Sequence, residues 1–330
     1  MKKIIDPIKK TLPPPALKTM ADRLFFIALT AFTLGGLSFG IRDAFISVIT
    51  ALFCYLCSLE GYSKKDLLSR GGRLFLLSVI SVLLSTINFS YMLVIAPLYT
   101  FFLVVFERGN YHRGIPMFFL PLTVHLLSLG LPFNLIIQRI SSASIGIIVA
   151  LAAQLWIWPS GNKSDLPHKR SDLFCPLKTR YALRKSIGVL FILMTGRVIG
   201  NNLAVWSSYF FLILHSPVDT DILPKVGKRI GGTIMGGLLF LPLEYFIGSP
   251  PLIYLLAVVS LYFALLFIGH CYFTAVTFIT LNILLYTTQT LPFEAVFKQR
   301  FFLAILGGAV ALAVSFLLPM KKELLHSSVD

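Results

Sequence analysis

Acidic side chains are scarce in this sequence, which holds 14 aspartates and glutamates among 330 residues against 29 lysines and arginines. Charged residues of both signs make up only 13% of the chain, whereas hydrophobic residues make up 56%. So little charge, with a mean hydropathy of +0.83, excludes an ordinary soluble domain. The four scattered cysteines are too few for a disulfide framework. The composition indicates that the lipid bilayer is the solvent.

Long apolar blocks of about 16 to 20 residues recur along the chain, and a helix of that length spans the roughly 30 Å hydrocarbon core. The sequence therefore predicts an all-α, polytopic membrane protein with about twelve spans, or ten if the shortest blocks do not cross. The predicted spans are 22–40, 44–59, 74–89, 91–106, 114–131, 141–159, 182–200, 203–217, 230–248, 251–269, 271–288 and 301–319.

Positive side chains are concentrated in alternate loops, on the side of the membrane that includes Met1. The opposite side keeps Arg42, Arg139, Arg197, Lys298 and Arg300. Positive-inside bias then predicts cytoplasmic termini, and it explains the net charge without a nucleic-acid partner. The basic segment 1–21 precedes the first span without a small-residue cleavage site, which indicates an uncleaved signal anchor.

An internal repeat is indicated by three matches at an offset of about 160 residues. Arg70 matches Arg229, the tripeptide 131–133 matches 291–293, and the pair 138–139 matches 299–300. Six spans in each half give both halves the same orientation, so the repeats are parallel. We therefore predict a first six-helix repeat at 22–159, a cytoplasmic linker at 160–181, a second repeat at 182–319 and a cytoplasmic tail at 320–330.

The most distinctive motif runs from Lys228 to Gly237 and opens the ninth predicted span at its cytoplasmic end. Arg229 and Thr233 are one helical turn apart and share a face. Gly232 and Gly236 form a small-x-x-x-small stripe, which lets another helix backbone approach closely. Arg229 is either a positive-inside anchor beside a packing stripe or a contact for an anionic substrate, and the motif leaves both interpretations open.

At this motif the sequence resembles the fusaric acid resistance and aromatic acid exporter family. The transmembrane halves of that family carry an R-x-x-G-T-x-x-G pattern at a helix entrance, which Arg229, Gly232, Thr233 and Gly236 fit. The second half also has similar features in Trp206, the threonine-rich segment 272–280 and Arg300 ahead of the last span. The first half departs from the pattern, because Arg70-Gly71-Gly72-Arg73 lacks the threonine.

The resemblance implies an inner-membrane efflux component for small, often aromatic, carboxylic acids or related toxic compounds. It also implies partners, namely a periplasmic membrane-fusion adaptor and an outer-membrane channel, with a homo-oligomer as a further expectation. Larger members carry a sizeable soluble cytoplasmic region, and this sequence resembles the short form without it.

Polar side chains inside spans are costly and therefore point to function or to helix association. Glu244 follows Pro242, whose ring is expected to disrupt the ninth span, and is either a proton carrier or an interfacial residue. His125 and Asn282 each follow a threonine within a span. They either line a substrate or proton path or bond a neighbouring helix.

No P-loop is present, and the pair Cys54 and Cys57 lacks the further ligands of a structural zinc site, so we expect no cofactor, metal or catalytic residue.

The preferred function is a proton-coupled secondary transporter that exports an organic anion through a cavity between the two halves. The predicted substrate path consists of Arg229, Thr233, Arg70, Arg73, His125, Thr277 and Asn282, with Glu244 or His125 carrying the proton. The alternatives are an integral-membrane enzyme acting on a lipid or polyprenyl substrate and a non-transporting scaffold.

Overall fold

The computed structural model describes most of the chain, and the described residues are helical with no β-strand among them. All-α architecture is therefore confirmed. The described ranges are 14–56, 64–86, 89–106, 119–128, 132–158, 176–199, 204–214, 222–246, 250–288 and 291–319.

Twelve α-helices occupy these ranges, one for each predicted span. The first six are α1 (Pro15–Phe39), α2 (Ile41–Leu56), α3 (Lys64–Ser85), α4 (Phe89–Val105), α5 (Phe119–Leu127) and α6 (Ile136–Ala152). The last six are α7 (Pro176–Ile199), α8 (Ala204–Leu214), α9 (Ile222–Phe246), α10 (Pro250–Phe267), α11 (Tyr272–Thr287) and α12 (Phe293–Leu317). A short 3-10 turn at Phe133–Leu135 precedes α6, and a π-helical turn at Ala153–Ile157 follows it.

Proline and glycine explain several of the helix boundaries. Pro15, Pro176 and Pro250 each occupy the first helical position, where a missing N–H costs nothing. Gly40 lies between α1 and α2 with a φ of +81°, a conformation that favours glycine because it has no Cβ. Pro242, however, lies inside α9, which continues to Phe246. The expected disruption is not seen there, as neighbouring helices in a membrane tolerate proline within a helix.

Four helices among the described residues are long and apolar enough to cross a membrane: Pro15–Phe39, Lys64–Ser85, Ile136–Ile157 and Phe293–Leu317. Four shorter apolar helices accompany them. Large apolar side chains are also strongly exposed, among them Leu37 at 83%, Val198 at 86% and Phe316 at 86%. Water-facing surfaces rarely expose so many apolar side chains, so lipid is their environment. The chain is a multi-pass membrane protein, and the number of crossings stays a prediction.

The chain divides into two compact units. The first unit contains the described residues of Met1–Phe26 and Leu223–Ile305, and the second those of Ile27–Ile222 and Leu306–Asp330. These boundaries differ from those of the two predicted repeats, because contacts between helices and not position along the chain define the units.

Within the first unit, α10 packs against α11. A cluster centred on Phe240, Leu281 and Leu284 joins residues of α9, α10, α11 and α12. Within the second unit, α2 packs against α6, α4 against α7, and α3 against both α5 and α6. Helix α8 there packs against α5 and α7.

Candidate functional site

Arg229 and Thr233 lie on the buried face of α9 in the first unit, where they are 3% and 2% exposed. The Thr233 hydroxyl donates a hydrogen bond to the Arg229 carbonyl oxygen at 2.9 Å, as expected for residues one turn apart. The adjacent Lys228, by contrast, is exposed. Burying a guanidinium is costly unless it has partners within the protein, and Arg229 makes further interactions there.

The glycines of the same motif bring α9 against the backbone of α11. A Cβ on Gly232 would lie 2.8 Å from the Phe273 carbonyl oxygen, and one on Gly236 would lie 2.7 Å from that of Thr277. Contacts this short with backbone atoms cannot be relieved by rotating a side chain. Only glycine at these two positions permits this separation of the helices.

Thr277 and Asn282 lie on α11 and face neighbouring elements of the first unit. Thr277 is 4% exposed, and its hydroxyl donates to the Phe273 carbonyl oxygen at 3.0 Å. Asn282 is half-buried, and its amide donates to the Ala257 carbonyl oxygen on α10 at 2.6 Å. Arg229 and Thr233 therefore lie on the buried face of α9, Thr277 lies on the helix whose backbone Gly232 and Gly236 approach, and Asn282 bonds α11 to α10.

Glu244 lies in the last turn of α9, but its side chain is outside the described part of the chain. Its assignment as a proton carrier stays a prediction.

His125 lies on α5 in the second unit and is fully buried. Its Nδ1 atom is 3.0 Å from the carbonyl oxygen of Ser81 on α3, which joins the two helices. The Tyr99 ring on α4 meets the imidazole edge-on, with centroids 5.1 Å apart. Three helices thus converge on this histidine.

Arg70 and Arg73 lie on α3, also in the second unit. Arg70 is half-buried and Arg73 is exposed, so neither resembles the buried Arg229. The predicted path residues therefore form two groups, one in each unit.

An ion pair that the sequence interpretation missed lies in the second unit. Arg139 Nε on α6 is 3.5 Å from Asp43 Oδ1 in the first turn of α2, and both side chains are buried. The Gln138 amide donates to Asp43 Oδ2 at 2.6 Å and to the Phe39 carbonyl oxygen at 3.0 Å. In the sequence, Asp43 and Arg139 lie just before the predicted spans 44–59 and 141–159. Opposite charges at the ends of different spans were the signal that could have found this pair.

Three buried cations on α7 were also missed, because they were counted with the loop charges. Lys178, Arg184 and Lys185 are each at most 1% exposed, although α7 begins before the predicted span. Lys185 Nζ donates to the Leu212 carbonyl oxygen at 2.7 Å and lies over the rings of Tyr181 and Phe211. The three α7 cations are therefore held inside the second unit, where each makes further interactions.

A groove of about 240 Å³ opens on the first unit between α9 and the start of α12. Phe293, Phe297 and Phe301 line it and stack in sequence, with centroids 5.5 and 6.2 Å apart. Its walls are apolar, so it suits a hydrocarbon chain or ring and supplies nothing for a carboxylate.

Cys271 lies between α10 and α11, outside both helices. The Thr274 hydroxyl donates a hydrogen bond to its sulfur at 3.2 Å. That hydrogen bond, helped by the positive charge of Lys228, lowers the pKa of the Cys271 thiol.

The described residues include no group of three histidine, cysteine, aspartate or glutamate side chains that could hold a metal ion. What they do provide is a buried guanidinium on α9, buried threonine hydroxyl groups on α9 and α11, and a buried imidazole on α5. Such groups bind anions and exchange protons.

Comparisons with known proteins give one match. The model of the fusaric acid resistance protein-like family matches residues 187–314, which run from α7 to α12 and include the whole Arg229 motif. No curated protein and no solved structure matches the chain. A match to this family indicates a membrane transporter. Over residues 187–314 the chain is similar to the fusaric acid resistance type of protein, which supports the family that its sequence resembles.

Proposed function

We propose that this chain is a proton-coupled secondary transporter that exports small organic anions, aromatic carboxylates among them, across the inner membrane. The observation that carries the proposal is the buried guanidinium of Arg229 on a helix within the family segment. A guanidinium recognises a carboxylate through paired hydrogen bonds and keeps its charge at all physiological pH values.

The substrate side of the proposal rests on α9 and α11. Arg229 attracts the carboxylate, and Thr233 and Thr277 offer hydroxyl groups along the same helix contact. Asn282 extends this polar path toward α10. Arg70 and Arg73 on α3 are assigned to the same class of anion contact in the first half of the chain. His125 and Glu244 are the candidates for carrying the proton.

Two parallel six-helix repeats, with both termini in the cytoplasm, form the architecture that we propose for this transporter. Two helix contacts, one between α2 and α6 and one between α8 and α12, support this architecture. A Cβ on Gly146 of α6 would collide with the Ser47 carbonyl oxygen of α2, and one on Gly307 of α12 would lie 2.9 Å from that of Ser207 on α8. The two glycines are separated by the repeat offset found in the sequence, and so are the two serines. The same helix contact is thus made twice at equivalent positions.

The resemblance further implies that a periplasmic membrane-fusion adaptor and an outer-membrane channel carry the exported compound onward. We propose that the chain works with both of these partners and that it associates with itself.

Transport by the purified chain in liposomes tests the proposal. Uptake of a labelled aromatic carboxylate is followed with and without an imposed pH gradient. We expect gradient-dependent flux that falls about tenfold to a hundredfold in Arg229→Ala, as expected for losing a hydrogen bond to a charged group. Arg229→Lys should retain part of the flux because the charge remains.

Lys228→Ala is the matched control, since it removes the neighbouring positive charge from an exposed position on the same helix. Folded protein with no gradient-dependent flux of any aromatic carboxylate would count against the transporter. Equal losses of flux in Lys228→Ala and Arg229→Ala would instead show that the flux depends on the general positive charge of the surface.

A further inference from the structure

The hydrogen bond between His125 and Ser81 determines which imidazole nitrogen carries the proton. His125 Nδ1 lies 3.0 Å from the Ser81 carbonyl oxygen, and a carbonyl oxygen can only accept. Nδ1 is therefore the donor. In the neutral ring, Nε2 then holds the lone pair and is the atom that can take up a proton.

Tyr99 holds the turn of α3 to which His125 bonds. Its hydroxyl lies 2.7 Å from the Ser81 hydroxyl and 3.1 Å from the Leu77 carbonyl oxygen, while the Ser81 hydroxyl donates to that same carbonyl at 2.7 Å. The Tyr99 ring also packs edge-on against the imidazole. One side chain therefore restrains both the acceptor and the ring that donates to it.

Nε2 of His125 is buried and has no hydrogen-bond partner among the described residues. The hydroxyl groups of Ser78 and Ser128 are buried without a partner in the same part of the chain. Ser128 follows His125 by three residues, and Ser78 precedes Ser81 by three, so both are one turn away. Buried polar atoms without partners are uncommon in proteins, so each of them calls for an explanation such as a catalytic role.

Few titratable side chains face this imidazole. The described helices that pack against α5 are α2, α3, α4 and α8, and Tyr99 on α4 is the titratable side chain in contact with His125. Asp43 on α2 is paired with Arg139. The nearest charge on α3 is Arg73, eight residues from Ser81 and about 12 Å along the helix. The other titratable residues in the sequences of these helices are Arg42, Cys54, Tyr55, Lys64, Lys65, Asp66, Arg70, Tyr91 and Tyr209.

We propose that Ser81 and Tyr99 are positioning residues that hold His125 in its Nδ1–H tautomer, so that Nε2 takes up and releases the transported proton. This rests on the proposed proton-coupled transport. In the loading step the Nε2 lone pair binds a proton and gives the imidazolium ion, while the Nδ1–H bond to Ser81 is kept. Release of the same proton from Nε2 restores the neutral tautomer. Because only a proton enters, the fully buried ring needs no cavity for a larger ligand.

Two amide substitutions separate this role from helix packing. His125→Asn places an amide nitrogen near the position of Nδ1, so it keeps a donor for Ser81 but has nothing to protonate. His125→Gln places its amide nearer the position of Nε2. Both variants and Tyr99→Phe are reconstituted in liposomes. Two rates are measured for each: substrate exchange without a gradient, and accumulation driven by a pH gradient.

We expect His125→Asn to lose gradient-driven accumulation completely while it keeps a measurable part of the substrate exchange. Tyr99→Phe keeps the ring and loses the hydroxyl, so accumulation should fall about two- to tenfold with exchange unchanged, the value of one hydrogen bond. Full gradient-driven accumulation in His125→Asn would overturn the inference and leave His125 as a packing residue.

Nitrogen-15 NMR of histidine-labelled protein in detergent gives a readout that is independent of transport. The His125 signals, assigned by their loss in His125→Asn, should show the Nδ1–H tautomer, and an Nε2–H tautomer would overturn the inference. Wild-type protein that exchanges substrate but ignores the gradient would overturn the proton coupling itself. The tautomer measurement distinguishes that failure from an error in the positioning of His125.

Discussion

Gly307 on α12 lies against the backbone of Ser207 on α8, so closely that a Cβ at the glycine would stand 2.9 Å from the serine carbonyl oxygen. Gly146 on α6 lies against the carbonyl of Ser47 on α2 in the same way. In each case the last helix of a predicted repeat meets the second helix through a glycine. A carbonyl oxygen cannot move aside as a side chain can, so the two glycines set the distance between these helices.

Substituting either glycine is expected to destabilise the protein. Gly146→Ala and Gly307→Ala force the helices apart, and overpacking of this kind costs about 1–3 kcal/mol. The midpoint of thermal unfolding in detergent, followed by size-exclusion fluorescence, measures the loss. Gly72→Ala and Gly227→Ala are matched controls because a Cβ at these positions meets nothing within 4 Å. Loss of stability in the controls as well would refute the role assigned to the contact.

Alanine substitutions at the glycines of the Arg229 motif are expected to differ in how much they destabilise the protein. Gly232→Ala and Gly236→Ala should lower both stability and transport, because their new methyl groups would meet backbone oxygens of α11. Gly231→Ala should cost less, since its Cβ would be 3.1 Å from the movable ring of Phe273. Thermal unfolding of the three variants side by side gives the ranking, and a larger loss in Gly231→Ala would be inconsistent with it.

The pair formed by Asp43 and Arg139 is expected to show strong coupling. Asp43→Asn or Arg139→Gln alone leaves one buried charge without its ionic partner, which costs about 3–5 kcal/mol. The double variant removes both charges and should cost clearly less than the sum of the two single variants. A double-mutant cycle from unfolding in denaturing detergent measures this difference. Additive losses would show that the two side chains do not stabilise each other.

Cys271 should react quickly with alkylating reagents. A lowered thiol pKa leaves more thiolate near neutral pH, and the thiolate is the nucleophile. Thr274→Val removes the hydrogen bond and should slow alkylation at pH 7, with the two rates converging as the pH rises above the thiol pKa of both proteins. The rates are compared in a background without the other cysteines, Cys54, Cys57 and Cys175. An unchanged rate at pH 7 would refute the role of Thr274.

The same thiol tests the proposed orientation of the chain. Cys271 lies on the predicted cytoplasmic side, so an impermeant maleimide should label it in inverted membrane vesicles and not in intact cells. Cells opened with detergent give the full labelling as reference. Labelling in intact cells would reverse the orientation derived from the loop charges.

Much of the fold is predictable from the sequence because the length of an apolar block sets the length of a helix. Each predicted span corresponds to one α-helix, and the Arg229 motif lies within α9, which begins six residues before Lys228. The ends were less predictable. Helix α7 begins at Pro176, inside the predicted linker, and Lys178 in its first turn is buried against the protein and not solvated. From sequence alone a charged residue is assigned to a loop, because the helices that pack around it are not known.

The contacts at the candidate sites were also only partly predictable from the sequence. Arg229 and Thr233 share a face because they are one turn apart, which depends on local geometry alone. The partners of His125 could not be anticipated in this way, since Ser81 is 44 residues away along the chain. Asp43 and Arg139 likewise lie just before two predicted spans, and nothing local shows that these two distant charges are paired.

The sequence by itself determined that this is an all-α, multi-pass membrane protein, and it indicated the family from the residues around Arg229. Composition and apolar block length suffice for the first conclusion, because backbone groups in lipid must bond within their own helix. Only the tertiary structure decided which polar groups meet: the His125 imidazole with Ser81 and Tyr99, Asp43 with Arg139, and the glycines with the carbonyls of Phe273, Thr277 and Ser207. Those contacts depend on which helices pack together, and long-range packing is not encoded in local periodicity.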